Sequence, residues 1–98
     1  MLIEHAGERD FEGQEVKTSG GMVVGVYLDP EFRGTGTIDR LLTGALAWVG
    51  ERGLHRARLY VHSDNLRAQR AYERVGFRAT GLTIAGSTGR ESELARDL

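Results

Sequence analysis

Apolar residues along this chain keep two different rhythms. Ile38, Leu41, Leu42, Ala45, Leu46 and Val49 recur at steps of three and four, the pattern of one buried helix face. Gly50 and Gly53 mark where that helix should end. A shorter stripe of the same period, Ala68, Ala71, Tyr72 and Val75, follows Ser63-Asp64-Asn65 and is closed by Gly76. Ser, Asp and Asn cap helix N-termini, and glycine accepts the left-handed backbone that ends one, so both ends are marked. Between the helices the rhythm is two. Over residues 54–62, Leu59 and Val61 fall on one face of a strand and Tyr60 and His62 on the other.

Residues 22–28, Met-Val-Val-Gly-Val-Tyr-Leu, form a nearly continuous apolar run. They read as a strand covered on both faces and ended by Asp29-Pro30. Leu2 and Ile3 start a short strand, residues 7–10 read as a turn, and residues 11–18, with Phe11 and Val16, as an edge strand. Ser19-Gly20-Gly21 reads as a turn, residues 77–84 as a strand, 85–90 as a glycine-rich turn and 91–98 as a final strand. The predicted order is β-β-β-α-β-α-β-β. The central alternation implies parallel neighbours joined by right-handed crossovers, and the ends imply antiparallel additions, so the fold class is mixed α/β.

Composition narrows the chemistry. The 98 residues fit one domain, 1–98, with apolar residues at 40% and charged residues at 28%. A net charge of −1 supplies no general attraction to nucleic acid or an anionic membrane. There is no cysteine, which excludes disulfides, thiol nucleophiles and thiolate metal sites. His5, His55 and His62 lack metal-ligand spacing, so no metal is expected. The N-terminus is polar too early for a secretory signal, and the cytoplasm is the expected location.

Two segments carry candidate chemistry. Arg33-Gly34-Thr35-Gly36 lies between a strand and a helix. Glycines let the backbone approach a bulky anion, and the helix start offers free N–H groups to a phosphate. It is neither a Walker A loop nor a dinucleotide fingerprint, and a plain strand-to-helix connection needing glycines explains it equally well. In the second segment Asn65 and Tyr72 stand seven residues apart on nearly one helix face. Taken alone, Tyr72 is a core aromatic and Asn65 a cap.

In this order and at this spacing, Arg33-Gly34-Thr35-Gly36-Thr37-Ile38 and Asn65-x-x-Ala68-x-x-Ala71-Tyr72-x-x-x-Gly76-Phe77 resemble the acyl-CoA site of the GNAT family of N-acetyltransferases. The resemblance is strong over 21–78 and poor over 1–20. It implies transfer of acetyl from acetyl-CoA to a primary amine, on a small molecule or peptide, by direct attack. Backbone amides over Arg33, Gly34, Thr35, Gly36, Thr37, Ile38 and Asp39 would hold the pyrophosphate. Val26, Tyr27 and Leu28 would pair with pantetheine and present an N–H to the thioester oxygen. Asn65 would bind the pantetheine arm or adenosine end, and Tyr72 would protonate the departing thiolate. Some members place a glutamate base where this chain has Tyr60, so His62 or an ordered water takes that role here. The family's usual first strand and two helices have no counterpart here, and unpaired edges would favour a homodimer. The alternative is a CoA-binding or dimerising module without transfer activity.

Overall fold

Helix α1, Thr37–Glu51, is built on the three-and-four rhythm, and the strand β3, Arg56–His62, on the alternating one. The computed structural model describes residues 2–23, 37–86 and 89–98. Around these two lie β1, Leu2–Glu4; β2, Gly20–Met22; helix α2, Leu66–Arg74; β4, Arg78–Gly86; and β5, Gly89–Asp97. The five strands form one mixed sheet in the order β1-β2-β3-β5-β4. β2 runs parallel to β3 across the α1 crossover, in register Gly21 with Ala57 and Met22 with Arg58; the other pairings are antiparallel.

One core sits under both helices. Val23, Leu42, Leu46, Ala57, Leu59, Val61, Phe77 and Leu94 pack together, with Ala68, Tyr72 and Val75 of the α2 segment against them. The alternation in β3 therefore puts Ala57, Leu59 and Val61 on the helix side. Arg58, Tyr60 and His62 face the other side. Each fully buried aliphatic side chain contributes about 1.5–3 kcal/mol, so this layer dominates the stability of the sheet.

Several expectations are corrected. Residues 11–18 are not an edge strand; only an isolated bridge joins Arg9 and Glu15. The Asp10 carboxylate accepts the N–H groups of Glu12 and Gln14, both at 2.9 Å, and Gly13 turns with φ 78°. Such local capture of the backbone competes directly with a strand ladder. Gly20 and Gly21 belong to β2 rather than to a turn. At Gly20 an added Cβ would collide with the carbonyl oxygen of Arg56, so the close approach of β2 to β3 requires glycine there. Of the expected turn over 85–90, residues 85, 86, 89 and 90 are strand instead, because β4 runs on to Gly86 and β5 starts at Gly89. β3 and β4 are not neighbours, because β5 lies between them. Leu41, assigned to the buried stripe, is 58% exposed. The expected strand beyond Val23 and the loop over 33–36 lie outside the described residues, so Val26, Tyr27, Leu28, Arg33, Gly34, Thr35 and Gly36 do as well.

Candidate active site

α2 is fixed at both ends by groups visible in its sequence. Asn65 caps its start, with Oδ1 accepting the Ala68 N–H at 3.1 Å. At the other end Gly76 takes φ 93°, its N–H reaches the Glu73 carbonyl at 3.0 Å, and the Phe77 N–H reaches the Tyr72 carbonyl at 3.1 Å. This is the Schellman arrangement, in which a hydrophobic contact joins the residues that bracket the turn. Here that contact is Tyr72 with Phe77, edge to face, with ring centroids 6.2 Å apart. Arg96 of β5 adds a 2.6 Å bond to the Val75 carbonyl, which ties the helix end to the sheet.

Tyr72 is thus held half-buried against the core, and its hydroxyl makes no hydrogen bond among the described residues. Burial raises its pKa, so the phenol is protonated at neutral pH. Asn65, expected to bind cofactor, uses its Oδ1 for the cap. Asp39, in the first turn of α1, points across to α2, where Arg74 donates to it at 3.3 Å. Thr37 and Ile38 are described only by their place at the start of α1.

His62 ends β3 on the face opposite α2, so the structure does not bring it together with Tyr72. Its ring is 39% exposed, and Nδ1 accepts the Asp64 N–H at 3.3 Å. Gln69 of α2 donates to the carbonyls of His62 and Ser63 at 3.2 and 3.0 Å, fixing the strand end to the helix. Nε2 lies against Gly89, where an added Cβ would come within 3.0 Å.

The main feature that sequence reasoning missed is Arg58. Its side chain is 7% exposed and meets three carboxylates: Glu4 of β1 through two bonds, Asp10 at 2.6 Å and Glu93 of β5 at 2.6 Å. Tyr60 accepts from it at 3.1 Å and donates to Asp10 at 2.6 Å. Glu93 also takes the Thr80 hydroxyl at 2.8 Å. The available signal was an arginine alternating with apolar residues in a strand, where a charge survives burial only if paired. Its partners are 48 and 54 residues away in one direction and 35 in the other, so no local pattern names them.

The Acetyltransferase (GNAT) family model matches residues 3–77. The chain belongs to this family. Among its GNAT relatives, a mycothiol acetyltransferase from Thermobispora bispora is 46% identical over 57 residues. That match takes in 58% of this chain and 19% of the relative, so the chain spans about a fifth of that protein's length. An IAA acetyltransferase from Bacillus cereus superposes with a TM-score of 0.68 at 14% identity, over 87% of this chain and 74% of that one. A spermidine N-acetyltransferase from Vibrio cholerae, solved in complex with CoA and spermine, gives 0.63 at 24%, over 74% and 47%. At these identities the two structures establish the fold.

In this GNAT chain the helix-free face is electrostatically set. Burial alone would lower the Arg58 pKa, yet its bonds to Glu4, Asp10 and Tyr60 raise it above the ordinary arginine value. Burial and the bond to Asp10 push the Tyr60 phenol up to about 12. Burial would raise Asp10, but Tyr60, Arg58 and two backbone N–H groups outweigh it and hold the carboxyl below its usual range. Tyr60 and Asp10 are therefore locked in one protonation state each and are poorly suited to proton exchange near pH 7. A cavity of about 340 Å³, bordered by Arg9, Lys17, Arg56, Leu82 and Glu93, opens on the same face. Among the described residues no cluster of His, Asp or Glu is arranged to hold a metal. No helix there is long and apolar enough to cross a membrane.

Proposed function

We propose that the chain forms the acyl-CoA site of an N-acetyltransferase that moves acetyl from acetyl-CoA to a primary amine by direct attack. The observation that carries this reading is the position of Tyr72. It is a protonated phenol with an unclaimed hydroxyl among the described residues, fixed by the Gly76–Phe77 turn on the helix beside β3. The described residues fit the cofactor at one further point. Asp39, which would repel a diphosphate at the start of α1, is turned toward Arg74.

Coenzyme A supplies the acyl group as an activated thioester. The N–H groups at the start of α1, with residues 33–36, hold the pyrophosphate. Val26, Tyr27 and Leu28 would pair with the pantetheine arm, and a backbone N–H among them would stabilise the oxyanion. Asn65 contributes chiefly by fixing the helix that carries Tyr72. Tyr72 gives its proton to the leaving sulfur. A water, or His62 acting through one from the opposite face, takes the proton from the amine.

Calorimetric titration with acetyl-CoA, followed by turnover with a panel of primary amines, tests this. Tyr72→Phe should bind acetyl-CoA within about twofold of the parent and transfer at least about tenfold more slowly. Binding without turnover by the parent would favour the CoA-binding module. Absence of binding would overturn both readings.

A further inference from the structure

The cavity on the helix-free face has a volume of about 340 Å³, within the range of small-molecule sites. Its floor is made by the buried side chains of Arg58 and Glu93. All five N–H groups of that guanidinium are taken, by Glu4, Asp10, Tyr60 and Glu93. Three carboxylates face one guanidinium, so the floor carries two negative charges in excess.

The rim is charged the other way. Arg56 stands 3.7 Å from Asp97, whose side chain is 86% exposed, so that pair neutralises little. Arg9 gives an N–H to the Gly13 carbonyl at 3.2 Å and forms no ion pair among the described residues. Lys17 pairs with Glu15 at 2.6 Å, with both side chains open to water. Glu15 is thus the one rim carboxylate against three cations. Between rim and floor the walls are more apolar than polar, and Leu82, where the β4–β5 register shifts, is exposed there. One negative charge is attracted at the mouth, and a second, carried deeper, is repelled.

We propose that this cavity is a binding site for a small monocarboxylate with an unbranched apolar body. Arg9 and Arg56 hold the carboxylate, since a guanidinium matches its two oxygens. The body lies inward along Leu82. Tyr72 packs on the other side of the sheet, so occupancy needs no coenzyme A and the site does not rest on the acyl-CoA reading.

Three probes of equal carbon count differ in their charged ends: hexanoate, adipate and hexylamine. Each is titrated into isotope-labelled protein without coenzyme A and followed by NMR. Hexanoate should move the Thr18, Arg56 and Leu82 amide signals saturably and leave Leu46 of α1 in place. Adipate should bind about tenfold more weakly, and hexylamine should give no saturable shift. Arg56→Gln and Arg9→Gln should each raise the Kd for hexanoate about tenfold, and the second variant serves if the first fails to fold. Arg67→Gln, which removes an equal charge from the exposed face of α2, should leave that Kd within about twofold. No saturable shift with hexanoate, or equal binding of hexylamine, overturns the site. Adipate bound as tightly as hexanoate overturns the preference for a single charge. Hexanoate affinity unchanged in both arginine variants overturns the assignment of Arg9 and Arg56.

Discussion

At Asp10, a single carboxylate does two jobs that the sequence did not announce. It turns the backbone through the N–H groups of Glu12 and Gln14, and it holds Arg58 and Tyr60. Its side chain is 1% exposed, so replacing it strands a buried cation's partner set. Asp10→Asn should cost about 3 kcal/mol at pH 7, the range for breaking a buried pair. The sign with pH follows from its lowered pKa. The contribution is fully present above the unfolded-state value of about 3.9 and is lost as pH falls through the folded value. Chemical denaturation from pH 7 down to pH 2 should therefore show a shallower acid loss in Asp10→Asn than in the parent. Equal slopes would mean that Asp10 is not held below its ordinary value.

Among the elements, α2 shows how much of the site was legible. Asn65 as cap, Gly76 as stop and Tyr72 on the inner stripe were readable because each depends on neighbours within a few residues. The structure also gives a folding reason for Tyr72 and Phe77 standing on either side of Gly76. They are the two ends of a Schellman turn, closed by the contact between their rings. Gly76→Ala forces a side chain into φ 93° and against the Arg96 guanidinium 3.1 Å away. It should cost about 1–3 kcal/mol, read as a lower Tm, and should loosen the Tyr72 ring. Restoring wild-type stability in that variant would contradict the turn assignment. The strap over residues 5–19 was not legible, because side-chain capture at Asp10 overrode a weak alternation. His62 was found by alternation, yet its separation from Tyr72 by the thickness of the sheet is a tertiary fact.

For the molecule, the parallel β2–β3 crossover and both helices followed from periodicity, but the strand order did not. Nothing local says that β5 enters between β3 and β4. Leu94 of β5 is buried in the shared core, so Leu94→Ala should remove about 2–5 kcal/mol, measurable by urea unfolding. A smaller loss would mean that the inserted strand is peripheral. The insertion also orders events in time. Until residues 89–97 are synthesised, β4 has no strand to pair with and β3 has one side bare. The inserted strand is therefore supplied after both of its neighbours, and a ribosome must pass residue 96 before α2 can be locked down by Arg96.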